Sequence, residues 1–192
     1  TGPAVWTAHL KHAVTTLANC ARNALTAVHP HKPHVSTPTD LGLTSSGELA
    51  HVHWRGSDII PILALIAAKG WNIVTARIVA ERTMVRAEFD VRAMHVGGFN
   101  QEEFIQGYKS GVFSTLPTLE PAATATHWFG SVLEVRTVDR RGALGALLNV
   151  IPDYTWCTVE LPGSTMIARF HLCGAFDRAA VERSITRVLA TG

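Results

Sequence analysis

The chain has 192 residues, 47% of them hydrophobic, with 17 Lys and Arg against 15 Asp and Glu and a formal net charge of +2. That balance, with no Lys/Arg block, argues against a nucleic-acid partner, and the apolar runs are too short and interrupted to span a bilayer. Three Cys without metal-type spacing, and no secretory signal at the start, suit reduced thiols in a cytoplasmic protein.

In chain order, Thr1–Val28 is the first expected element. Pro3 suits a first helical turn with Thr1 as a cap. Trp6, Leu10, Val14, Leu17, Ala21, Leu25 and Val28 recur at spacings of three and four, an amphipathic helix whose apolar face needs a neighbour. The chain starts with Thr1 on the approach to this helix, so it is expected to be a piece of something longer.

Residues 29–47 read as a linker, with Pro30, Pro33, Pro38 and Gly42 and no periodicity. His29, His31 and His34 lie close together there. A structural zinc site wants four ordered ligands, and no thiolate stands at a matching distance, so no metal is assigned.

Residues 48–113 form the first expected unit. A strand runs to the turn Arg55-Gly56-Ser57-Asp58, and an apolar helix with Ile59, Ile60, Leu63, Leu65, Ile66 and Ala67 follows. Ser57 or Asp58 is the candidate cap, Pro61 fits the first turn, and Gly70 closes the helix. Two strands, Asn72–Ala80 and Met84–Ala93, lead to a helix over Gln101–Lys109 capped by Asn100.

Residues 114–130 read as an extended connector, with Pro117 and Pro121. Its bulky end, His127, Trp128 and Phe129, is expected to pack at the join of two units. The second unit is 131–192. Its opening, SVLEVRTVDRRGALG, alternates as a strand and breaks at Asp139-Arg140-Arg141-Gly142. A short helix with Ala143, Leu144, Leu147, Leu148 and Val150 comes next. Two strands, Tyr154–Leu161 and Met166–Cys173, flank Pro162-Gly163-Ser164, and a last helix runs from Asp177 to Leu189.

The chain therefore repeats one βαββα unit, which predicts an α+β fold. A strand that feeds through a Gly turn into a helix aims free backbone amides back at the turn, a geometry suited to anions. No G-x-S-x-G elbow, P-loop, H-E-x-x-H or dinucleotide fingerprint occurs. His9 and His12, or His51 and His53, could in principle serve acid–base roles, but a lone His on a strand or helix face is more often surface or satisfied core, so no catalytic residue is assigned. The chain reads as a binding module.

The duplicated unit, with Asp139-Arg140-Arg141-Gly142 at its second turn, resembles the ACT domain, a small-molecule-binding module that usually senses amino acids. Members typically carry D-R-P-G there; Arg141 replaces the Pro. Aligned back from Asn72, the first unit offers Trp54, Arg55, Gly56 and Ser57 at those positions. The stretches TGPAVWTAHLKHAV, GWNIVTARI and SVLEVRTVDRRGALGALL are similar to the C-terminal region of the bifunctional PII uridylyltransferase/uridylyl-removing enzymes of high-GC Gram-positive bacteria.

The resemblance implies two ferredoxin-like βαββα(β) ACT units behind a helix that leaves a hydrolase domain. It implies glutamine as effector and the PII signalling protein as the parent enzyme's partner. It places no cofactor in this chain, while the parent would need Mg and a nucleoside triphosphate and would transfer uridylyl or adenylyl. Ligand contacts are expected at Asp139, Arg140, Gly142, Ala143, Gly56, Ser57 and Asn72. Asp139 would take the ammonium, the amides after Gly142 the carboxylate, and Asn72 the side-chain amide. Two alternatives stay open: an amino-acid-binding tandem of another metabolic enzyme, and a dimerisation module that binds nothing.

Overall fold

The structure is a computed structural model that describes residues 40–93, 99–111 and 115–190. The expected N-terminal helix and the three linker histidines lie outside the described residues. Eight strands form one antiparallel sheet in the order β1-β2-β4-β3-β7-β8-β6-β5. They are β1 (Asp40–Ser46), β2 (Leu49–Gly56), β3 (Trp71–Glu81), β4 (Met84–Ala93), β5 (Thr124–Phe129), β6 (Val132–Val138), β7 (Tyr154–Glu160) and β8 (Thr165–Leu172). Four helices are described: α1 (Ile60–Ala68), α2 (Gln101–Ser110), α3 (Ala143–Val150) and α4 (Arg178–Ala190). The fold is thus α+β, as the sequence pattern predicts.

Two sequence expectations need correction. The stretch read as linker contains β1, and the stretch read as connector contains β5. Each unit therefore opens with a hairpin, turned at Gly47 and Gly130 with positive φ, and each strand added in this way lies at an outer edge of the sheet. His127, Trp128 and Phe129 consequently lie in the edge strand farthest from the join. Trp128 packs there on Phe176, with ring centroids 5.6 Å apart, and Arg178 lies over its indole.

The internal repeat is visible in the element starts. Leu49 and Val132, Ile60 and Ala143, and Trp71 and Tyr154 are each 83 residues apart. The halves meet where β3 pairs antiparallel with β7, from Thr75↔Glu160 to Val79↔Trp156.

Period-two burial explains the layers. Ala50, Val52 and Trp54 of β2, Ala87, Phe89 and Val91 of β4, and Met166, Ala168, Phe170 and Leu172 of β8 are all buried. The helices touch in the row α2-α1-α3-α4, and one continuous core joins them to the sheet. α1 is apolar nearly all round, with Ile62 to Ala67 all buried, because it sits between neighbouring helices and the sheet. The opposite sheet face is polar. One cross-strand row there reads His53, Glu88, Arg77, Thr158, Arg169, Glu134 and His127. Glu134 is buried in it beneath Arg136 and Arg169, whose Nε atoms each lie 2.7 Å from its carboxylate.

Local rules set the helix ends. Asn100 accepts the Glu103 amide at 3.0 Å, and Asp177 accepts that of Ala179 at 2.9 Å. At α1 it is Asp58, and not Ser57, that accepts a backbone amide, from Ile60 at 3.0 Å. Gly70 turns the chain out of α1 at positive φ.

Candidate functional site

A small cleft lies at the join of the halves, between α1 and α3. Leu63, Ile66, Ala67, Trp71, Asn72 and Ile73 from the first half face Asp139 to Gly142, Leu144, Gly145, Val159 and Met166 from the second. Its enclosed part holds about 30 Å³, room for ordered water. It opens into a groove of about 690 Å³ that shares Trp71, Asn72, Asp139, Arg140 and Arg141 and is walled by Pro117 to Glu120.

The strand-to-helix turn presents the polar groups. Asp139 is held by its backbone amide, which donates to the Ser164 carbonyl at 2.8 Å. Its carboxyl is half-buried and accepts a hydrogen bond from Asn72 across the join. Burial raises its pKa above the ordinary aspartate value, and the Asn72 bond opposes that rise.

Arg140 uses one nitrogen only. Nη2 donates to the Leu189 carbonyl at 3.2 Å and to the Thr137 hydroxyl at 3.4 Å. Nε and Nη1 are buried and have no acceptor among the described residues. Desolvated guanidinium nitrogens without an acceptor are costly, so Nε and Nη1 could each accommodate an anion or another acceptor.

Gly142 adopts φ +88° and opens α3. A side chain there would strike Pro117, at 2.8 Å, and one at Gly145 would strike Leu116, at 2.6 Å. The segment before β5 thus lies as a strap across the start of α3. The Ala143 amide is engaged by the Arg140 carbonyl at 3.1 Å, so it is not free for a ligand.

The structure brings Asp139, Arg140, Gly142 and Asn72 together in this cleft. Ala143 is fully buried in the core beside it. Gly56 and Ser57 line neither the cleft nor the groove. The common 83-residue offset makes Gly56, Ser57, Asp58 and Ile59 the counterparts of Asp139, Arg140, Arg141 and Gly142, which shifts the alignment made back from Asn72 by two residues. The two-residue error arose because Asn72 was matched two positions past its true counterpart, Thr155. At the positions of Asp139 and Arg140 the first turn carries Gly56 and Ser57, its Asp58 is turned to the Ile60 amide, and Thr155, the counterpart of Asn72, bonds His171 at 2.7 Å instead.

Sequence reasoning missed Trp71 and the strap. Leu116 and Leu119, apolar residues on either side of Pro117, were the available signal for the strap. Cys157 and Cys173 are buried, and neither is in a disulfide among the described residues. No group of three or more metal-ligating side chains occurs among the described residues, nor does any helix there reach the length and apolarity needed to cross a membrane.

No protein-family model matches the chain, and no solved structure matches it. The chain is homologous to the bifunctional uridylyltransferase/uridylyl-removing enzyme of Corynebacterium glutamicum, with 44% identity over 190 residues. The match covers 99% of this chain and 27% of that enzyme, so the chain spans just over a quarter of the length of the relative it matches.

Proposed function

We propose that this chain is the amino-acid-sensing regulatory region of a PII-modifying nucleotidyltransferase and nucleotidyl-removing enzyme, built from two ACT-type units of ferredoxin-like kind, with glutamine as effector. One observation carries the reading: Asp139, Arg140 and Asn72 converge from both halves on one cleft, with Arg140 Nε and Nη1 unpartnered among the described residues. An α-amino acid offers a carboxylate and an ammonium at fixed separation. Arg140 meets the first and Asp139 the second, while Asn72 offers donor and acceptor to a side-chain amide.

The assignment of the carboxylate changes from the sequence-based expectation. Arg140 has free N–H groups and the Ala143 amide does not, so the guanidinium is the principal anion partner. The homologue's name supports an enzymatic parent that adds and removes a uridylyl group. PII as its target and a cytoplasmic setting belong to the same proposal, as do Mg and a nucleoside triphosphate in catalytic domains outside this chain.

A site at the join can switch the parent. Glutamine contacts both halves at once, so it favours the arrangement in which β3 and β7 hold Asn72 against Asp139. A second reading, a pair of units that binds nothing and only holds subunits together, is favoured by the small enclosed volume and by Pro117 lying over Gly142.

Isothermal titration with glutamine, glutamate and other amino acids distinguishes the two. Millimolar or tighter binding selective for glutamine is the expected result. Absence of heat with every amino acid, from chain shown to be folded by circular dichroism, would overturn the sensor reading. Selectivity for a different amino acid would move the chain to another metabolic enzyme.

A further inference from the structure

The Leu189 carbonyl, near the end of α4, accepts two hydrogen bonds. One comes from the Ala122 amide at 3.1 Å, at the end of the strap, and the other from Arg140 Nη2 at 3.2 Å. Carbonyls in the last turn of a helix have no partner within the helix, so these two bonds supply what α4 lacks there, and the cation suits the negative end of the helix dipole. Thr137 extends the connection. Its hydroxyl accepts from Arg140 at 3.4 Å and donates to the Ala123 carbonyl at 3.2 Å.

We propose that Arg140 is a clasp that transmits occupancy of the cleft to the end of α4 and to the strap. The inference rests on the proposed amino-acid site and adds how that site is read out. Nη2 alone holds Leu189 and Thr137, while Nε and Nη1 have no acceptor among the described residues. A ligand carboxylate on Nε or Nη1 therefore does not compete with the helix for donors. Both bind one rigid planar group, so a ligand that fixes the guanidinium also fixes the Leu189 carbonyl, and through it Ala122. The coupling is positive: an occupied cleft tightens the last turn of α4 and the strap. By linkage, a tighter α4 end strengthens ligand binding by the same factor.

Hydrogen–deuterium exchange of the 192-residue chain with and without glutamine, read by mass spectrometry, tests this alongside calorimetry. The expected result is exchange slowed about tenfold in the peptide containing Ala122 and in the last turn of α4, a coupling in the ordinary allosteric range. Binding in the calorimeter with unchanged exchange at both places would overturn the clasp and leave the sensor reading intact. No binding at all would overturn both.

Arg140→Lys provides the second arm. Lys keeps the charge but is a single point donor and cannot hold ligand, Thr137 and Leu189 through one plane. Residual binding without slowed exchange is the expected behaviour. Slowed exchange that persists in the folded variant would mean that another route carries the coupling.

Discussion

A methyl group on Gly56 would sit 2.4 Å from Cζ2 of the Trp54 ring. The indole occupies the space over the first turn, at the position where the second half carries Asp139. It is locked there by a hydrogen bond from Nε1 to the Tyr108 hydroxyl at 3.1 Å, and the ring is 1% exposed. Gly56→Ala is therefore expected to destabilise the chain by about 1–3 kcal/mol, the usual cost of overpacking a filled site. Urea unfolding measures it. The same filling predicts one glutamine per chain in calorimetry. A stoichiometry of two equal sites would show that the first turn opens after all.

The buried Glu134 carboxylate is expected to contribute to stability in a pH-dependent way. Hydrogen bonding to Arg169, opposed by burial and aided by Arg136, holds its pKa below the ordinary glutamate value. A depressed carboxylate contributes stability that is present above its unfolded pKa, about 4.3. That stability is lost as the pH falls through the folded value. Glu134→Gln is expected to cost about 2 kcal/mol at pH 7, the scale of a charge-assisted bond. Part of the loss is limited because both arginines are partly solvated and Arg169 retains Glu160 at 3.2 Å. Unfolding free energies against pH should converge for the two proteins at acid pH. A constant gap down to pH 2 would place the effect in packing and not in charge.

Much of the fold was legible because most elements carry their burial as period. The run Met84–Ala93 and the helix starting at Ala143 match the sequence reading in their bounds. β1 and β5 escaped because edge strands pair on one side only and need little apolar material. In β1 only Leu41 and Leu43 keep the alternation, and a proline-rich stretch precedes them. The turn at Asp139 was legible from its break and Gly, and Asn72 from its place at the start of a strand. The cleft itself was not, because it depends on β3 pairing with β7 between the halves, which no local pattern encodes. Arg140's bond to Leu189, 49 residues away, was invisible for the same reason.

Gly142 separates backbone conformation from packing. Ala there must adopt φ near +88° and also meet Pro117 Cγ at 2.8 Å. Gly163 has a similar φ of +66° and nothing within 4 Å. Gly163→Ala is expected to cost about 1–2 kcal/mol from the left-handed conformation alone. Gly142→Ala is expected to cost about 1–3 kcal/mol more, as the strap is pushed off α3. Equal losses in urea unfolding would mean that the strap yields freely.

Asp139 is expected to oppose stability while serving binding. Its pKa is raised by burial. For a group with a raised pKa, stability is fully present below the unfolded value, about 3.9, and declines as the pH rises through the folded value. At neutral pH the ionised Asp139 is thus a burden on the fold, eased by Asn72. Asp139→Asn removes the charge at nearly constant shape. It is expected to raise the melting temperature slightly at pH 7, with the gain vanishing at acid pH, and to weaken glutamine binding at least tenfold through loss of the ammonium partner. In the unaltered protein, glutamine binding should weaken as the pH falls through the Asp139 pKa, because protonation removes that partner. Thermal melts and calorimetry at a series of pH values measure both effects. A variant that binds glutamine as tightly as the original would remove Asp139 from the site, whatever its effect on stability.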